Sequence, residues 1–212
     1  MQASVPKQFL LLNGKPVLMH TLEAFGQSAV KPHIVLVLAA SQQLYWEQLC
    51  KEHNFPIPHH VVIGGETRFH SVKNGLDAIE DDEGGLVAIH DAVRPLTSVH
   101  IIDTAYKAAA EYGNAITAVK SRDSIRQLKN DGSICLDREG IYLVQTPQTF
   151  RLSLIKQAYN QPYSKNFTDD AIVAEQAGIP IHIVEGSYQN LKITFPEDIT
   201  IAETFLTTRN KG

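Results

Sequence analysis

Charged residues of this chain gather where its apolar runs end. In GLVAIHDAVRP, residues 85–95, four apolar residues lead straight into His90, Asp91, Arg94 and Pro95. A carboxylate at that place could hold a divalent cation or a ligand hydroxyl, and the planar fork of Arg94 suits a phosphate. After VVI comes GGETRFHS, where Gly64 and Gly65 permit close backbone approach, and Arg68 and Ser71 open a helix at the end that favours anions. Thr146 follows IYLV within QTPQTF, and Lys192 follows IHIVEG within NLKITFPED. Each residue taken alone also fits a plain structural role, Asp91 as a helix cap paired with Arg94 and the others as surface groups. Together Arg68, Arg94 and Lys192 line one rim, where they repel one another unless an anion sits among them. Nucleophilic catalysis of the Ser-His-Asp kind is not indicated: no GxSxG occurs, and His90 points away from Asp91 if both lie in a strand. His90 is read as structural, and His53, His59 and His60 as a solvated surface or strand start.

The elements that must position these groups alternate between helix and strand. That rhythm predicts an α/β fold, a mainly parallel sheet with helices on both faces, in a single domain over residues 1–212. KPVLMHTLEAFG reads as a helix entered through Pro16 and closed at Gly26, and SQQLYWEQLCKEHN as one capped by Ser41. HIVLVLAA is a continuous apolar run of the kind buried on both faces. Phe69, Val72, Leu76 and Ile79 share one helical face, and Pro196 begins a last helix with Glu197 and Asp198 in its first turn. The rhythm breaks at about residues 121–140, where two β-like runs flank Asn130, Asp131 and Gly132, a hairpin signal and hence an inserted arm.

With a formal charge of -4 the chain has no global positive field, so neither nucleic acid nor an anionic membrane is an expected partner, and an anionic ligand must meet local cations. No apolar run approaches the roughly 18 residues of a membrane helix. Cys50 and Cys135 lie far apart without a CxxC, as expected of reduced thiols in a cytoplasmic protein. The absence of GxGxxG disfavours a dinucleotide oxidoreductase.

Taken in order, PKQF (6–9), GGETRFHSV (64–72), IHDAVRP (89–95), DREG (137–140), QTPQTF (145–150), TDDA (168–171) and NLKITFPED (190–198) resemble the 2-C-methyl-D-erythritol 4-phosphate cytidylyltransferases of isoprenoid precursor synthesis. The resemblance implies a Rossmann-like nucleotidyltransferase with a protruding β-arm, a homodimer built through that arm, CTP and a sugar-alcohol phosphate as substrates, and Mg²⁺. It places CTP against Gly64, Gly65, Arg68, Ser71, Asp91 and Ala92, with Asp91 also at the metal, and Lys7 and Lys192 at the α-phosphate as the catalytic pair. It gives the second phosphate to Asp91, Arg94, Thr146 and Lys192, joined from the partner's arm by Arg138 and by Ser124, where the family more often has Thr.

The residue types agree with that chemistry. A phosphate monoester with its second pKa near 6 is already anionic at neutral pH and needs no general base to attack the α-phosphorus of CTP. Two other functions compete, cytidylyl transfer to ribitol 5-phosphate and a non-catalytic nucleotide-binding or dimerising role; DREG favours the methylerythritol-phosphate enzymes. The family's first strand and its glycine-rich Ala-Ala-Gly-x-Gly-x-Arg loop have no counterpart in these residues, and the expectation is a sequence shortened at its amino end.

Overall fold

The computed structural model describes residues 5–80 and 84–209. Residues 1–4, where the expectation of a shortened loop falls, lie outside that set. In chain order the elements are β1 (Leu11–Leu12), β2 (Lys15–Pro16), α1 (Val17–Gly26), β3 (Val35–Leu38), α2 (Gln43–Glu52), β4 (His60–Ile63), α3 (Arg68–Asp77), β5 (Leu86–Ile89) and α4 (Val99–Tyr112). They continue with β6 (Asn114–Lys120), β7 (Ile125–Lys129), β8 (Gly132–Leu136), β9 (Tyr142–Arg151), α5 (Leu152–Ala158), α6 (Asp170–Gln176), β10 (Ile183–Glu185) and α7 (Glu197–Arg209). The α/β alternation read from the sequence is the architecture observed.

The helix boundaries have local causes. Ser98 caps α4 by accepting the Ile101 N–H at 3.3 Å, and α4 ends at Gly113, whose φ of +90° is a left-handed conformation open to glycine at little cost. Thr67 caps α3 in the same way through the His70 N–H. Ser41 does not cap α2. A 3-10 turn over Ala40–Gln42 leads into that helix, and its N-cap residue, Gln42, makes no side-chain capping bond.

The main sheet has the order β10-β6-β9-β5. β10 pairs parallel to β6, while β9 is antiparallel to both β6 and β5, so β5, β6 and β10 share one direction and β9 alone runs against them. β3 and β4 form a separate parallel pair. Phe69, Phe150, Ile155 and Tyr159 pack one face of the main sheet. Leu18, Leu22, Leu36 and Trp46 tie α1 and α2 to β3.

The arm is the hairpin of β7 and β8, paired from Ile125↔Leu136 to Lys129↔Gly132. Its side chains are largely in solvent, Leu128 being 83% exposed. Cys50 and Cys135 are both free, the former half-buried and the latter exposed on the arm. Among the described residues no helix is long and apolar enough to cross a membrane.

Candidate active site

Strand direction explains why distant motifs meet. β5 and β10 run the same way, so the residues after each emerge at one rim of the sheet, the edge where open α/β folds hold ligands. β9 starts at that rim and runs away from it, and its register with β5, Ile89↔Gln148, carries on to set Asp91 beside Thr146. There the Asp91 N–H donates to the Thr146 hydroxyl at 3.0 Å. Gly186 continues the β10 ladder by donating to Ala118 O at 2.8 Å, and the loop beyond it carries Asn190 and Lys192 back over the rim.

Four of the residues singled out from sequence converge here. Asp91 Oδ2 accepts from Arg94 Nε and lies beside Lys192 Nζ, each at 3.1 Å. Burial pushes the Asp91 carboxyl up, but Lys192 and then Arg94 outweigh it and hold the group below its ordinary range. Asp91 therefore stays ionised at neutral pH. Its Oδ1 makes no hydrogen bond among the described residues, while Oδ2 is shared by two cations. Arg94 is buried and donates from a terminal nitrogen to Asn190 O at 2.7 Å.

Asn190, Thr97 and Gln145, which the sequence reading did not single out, hold this rim together. Asn190 Nδ2 donates to Thr146 O at 2.9 Å and to Gln145 Oε1 at 3.2 Å, while its Oδ1 accepts the Thr97 hydroxyl at 2.7 Å. Gln145 is itself oriented by donating to Ser187 O at 2.9 Å. Buried amides and hydroxyls of this sort carry no periodicity; the only signal was the place of Gln145 inside QTPQTF and of Asn190 inside NLKITFPED, and Thr97 lay outside both.

The Gly64-Gly65 turn forms a second group. Gly65 N–H donates to Ser71 Oγ at 3.1 Å, folding the turn onto the start of α3. A Cβ on Gly65 would sit 2.4 Å from His70 Cβ, so the turn cannot close over a larger residue. Arg68, one turn away, gives its whole fork to Asp170, with one bond at 2.9 Å and a second, shorter one. Asp170 is fully buried and also accepts the Tyr159 hydroxyl at 2.6 Å. Gln148 of β9 fixes that partner by accepting the Asp170 and Ala171 N–H groups at 3.1 and 2.8 Å. Arg68 is close enough to Asp91 for their charges to interact, which relates the two groups.

Ala92 O, in the Asp91 loop, accepts the Thr21 hydroxyl at 3.0 Å. Lys7 is exposed on a 3-10 turn, Lys7–Phe9, anchored by the buried Phe9. Phe9 stacks on Trp46 with centroids 6.1 Å apart. Arg138 and Ser124 are exposed at the root of the arm, where Arg138 donates to Arg122 O at 2.9 Å, and neither meets the Asp91 cluster within the chain.

The histidines take structural places. Trp46 Nε1 donates to His59 Nε2 at 2.9 Å, and since indole can only donate, His59 carries its proton on Nδ1, facing Ile57 O at 2.8 Å. Among the described residues no three His, Cys, Asp or Glu side chains group as metal ligands. His90 stands edge-on to Phe25 at 4.9 Å, with Nε2 3.3 Å from the Thr97 hydroxyl and Nδ1 buried without a partner.

Burial drives His90 down to about 3, so it is neutral in the folded protein. Its unfolded form takes up a proton below about 6.5. The stability this gives is complete above that value and is lost as pH falls toward 3. In urea titrations, wild type is expected to lose about 1 kcal/mol more than His90→Gln between pH 7 and 5.5. Parallel losses in the two proteins would show that His90 gains no proton on unfolding.

Solved structures share the fold. The 4-diphosphocytidyl-2C-methyl-D-erythritol synthase of Anaerococcus prevotii superposes with a TM-score of 0.82 at 29% identity, over 93% of this chain and 88% of that one. The 2-C-methyl-D-erythritol 4-phosphate cytidylyltransferase of Francisella tularensis gives 0.79 at 32% identity, over 94% and 93%. The fold is that of a Rossmann-like nucleotidyltransferase. The model of one family, IspD, 2-C-methyl-D-erythritol 4-phosphate cytidylyltransferase, matches residues 1–208, and the chain belongs to that family. The enzyme of that name from Bacteroides thetaiotaomicron is 47% identical over 206 residues, 97% of this chain and 93% of its own. That of Geobacillus kaustophilus is 40% identical over 214 residues, 99% and 92%.

Proposed function

We infer that the protein transfers CMP from CTP to 2-C-methyl-D-erythritol 4-phosphate and releases pyrophosphate, a step of isoprenoid precursor synthesis. The observation that carries the reading is the meeting of Asp91, Arg94, Thr146 and Lys192 at one rim in a chain whose family match spans residues 1–208. An oxygen of the acceptor phosphate bonds to the α-phosphorus, and the bond from that phosphorus to the bridging oxygen breaks with pyrophosphate departing. The acceptor oxygen is already anionic, so no side chain has to remove a proton. Neutral, buried His90 is not needed for the reaction.

In this reading Lys7 and Lys192 lie at the α-phosphate, where negative charge grows as bonds change. Gly64, Gly65, Arg68, Ser71, Asp91 and Ala92 form the CTP side. Arg94, Thr146 and Lys192 take the acceptor phosphate, joined by Ser124 and Arg138 of a second subunit. Arg68 acts through the turn it stiffens, because its fork is occupied by Asp170. A single carboxylate oxygen left open at Asp91 suits Mg²⁺, which usually keeps several waters and binds through one or two carboxylates plus substrate phosphates. Bound there, the ion would neutralise charge on the triphosphate; Asp91 is the residue that would hold it.

Pyrophosphate release is the direct test, with CTP and Mg²⁺ supplied alongside each sugar-alcohol phosphate in turn. Turnover of 2-C-methyl-D-erythritol 4-phosphate is expected. Preference for ribitol 5-phosphate would replace the substrate, and silence with both would leave the non-catalytic role.

A homodimer through the arm belongs to the same reading, as does a cytoplasmic location. The arm extends Leu128 and Ile134 into solvent at 83% and 46% exposure, apolar surface that a second subunit would cover. Deleting residues 125–135 is expected to give a monomer by sedimentation. A dimer unchanged by the deletion would take the arm out of the assembly.

A further inference from the structure

We propose that Asn190 is the positioning residue of the acceptor-phosphate subsite. Its amide and backbone fix Arg94 and Thr146 relative to each other while leaving the CTP side largely alone. The inference rests on the functional reading above. Arg94 comes from the loop after β5 and Thr146 from β9, and Asn190, in the loop after β10, is bonded to both: its O accepts from Arg94 at 2.7 Å and its Nδ2 donates to Thr146 O at 2.9 Å.

No other orientation of the amide satisfies these neighbours. Gln145 donates to Ser187 O, so it turns Oε1 toward Asn190 Nδ2, and Thr146 presents a carbonyl; both demand a donor. The remaining acceptor, Oδ1, takes the Thr97 hydroxyl at 2.7 Å. Asn190 is 1% exposed, so each of these bonds forms away from water and a missing one strands a buried partner.

The loop does not depend on Asn190 for its path. Ile193 N–H donates to Val93 O at 2.9 Å, Ile193 is itself buried, and Lys192 keeps its contact with Asp91. Loss of the amide should therefore loosen the Arg94–Thr146 spacing before it displaces Lys192. Aspartate at this position keeps an oxygen for Thr97 but turns an acceptor on Thr146 O and Gln145 Oε1, so a residue of nearly the same shape should fail in the same way as alanine.

The test is steady-state kinetics of Asn190→Ala and Asn190→Asp with both substrates varied, beside thermal melts. Expected is a KM for 2-C-methyl-D-erythritol 4-phosphate raised by at least about tenfold, with the KM for CTP within about twofold of wild type. Thr97→Val, which removes only the hydroxyl, should raise the acceptor KM by about threefold, and Thr97→Ser, which retains it, should restore the wild-type value. This second pair decides the matter if the Asn190 variants do not fold. Equal changes in both KM values, or Thr97→Ser failing to restore, would overturn the positioning role while the cytidylyltransferase reading stands. An inactive wild type would overturn the reading, and the inference with it.

Discussion

Lys192→Met is expected to lower kcat by on the order of 10² to 10³. The variant retains the length and apolar stem of lysine and loses only the ammonium. That group is half in solvent at 49% exposure, tethered to Asp91 Oδ2 at 3.1 Å, and so lies at the mouth of the site. A donor held in place before substrate arrives stabilises charge at the α-phosphate without reorganising, and this is where most catalysis of phosphoryl transfer originates. Lys7→Ala is expected to fall by a similar factor with its melting temperature unchanged, because Lys7 is exposed and its turn is anchored by Phe9 instead. The Lys192 variant also frees Asp91 of its stronger cation, so the carboxyl should rise back toward its ordinary range. Pyrophosphate release under saturating substrates gives kcat directly. A Lys192→Met enzyme within twofold of wild type would remove that lysine from the chemistry.

Arg68→Met should lower stability by about 3 kcal/mol, at the lower end of what breaking a buried ion pair costs. The low end applies because the Arg68 side chain is 38% exposed whereas Asp170 is fully buried. Without Arg68 the Asp170 charge retains the Tyr159 hydroxyl as its side-chain partner, inside a cluster of Phe69, Tyr159 and Ala171. Pairing Arg68→Met with Asp170→Asn removes the stranded charge and should recover part of the loss in urea unfolding, so the two substitutions will not add. Changes that sum exactly, or a single loss below about 1 kcal/mol, would refute the account. The kinetics separate a second question. If Arg68 touches the nucleotide as well as Asp170, the KM for CTP will rise in Arg68→Met at temperatures where the variant is fully folded.

Features carried by short stretches were legible before any coordinates. Pro16 and Gly26 bracket α1, and Asn130 to Gly132 turn the arm, because these depend on residues a few positions apart. The rim was legible through strand ends, since an apolar run that stops at a charge has a direction. Pairings across long separations were not. Arg68 and Asp170 lie 102 residues apart, and nothing in GGETRFHS shows that its arginine is already engaged. The reversed direction of β9 was equally hidden, because periodicity reports which face of a strand is buried and is silent on its sense. Ser41 misled for a local reason: a 3-10 turn took up the chain before α2, so the hydroxyl that looked like a cap came one residue before the N-cap, Gln42.

The protein contains one tryptophan, and its position gives it a use as an optical reporter. Trp46 is 1% exposed, hydrogen-bonded to His59 and stacked on Phe9, the anchor of the turn that carries Lys7. Its emission should be blue-shifted by the apolar surroundings. All intrinsic indole fluorescence from this chain thus originates one side chain away from the Lys7 turn. Phosphate-bearing ligands that settle on that turn can be followed in stopped flow without a label, and the binding step can be timed apart from release of pyrophosphate.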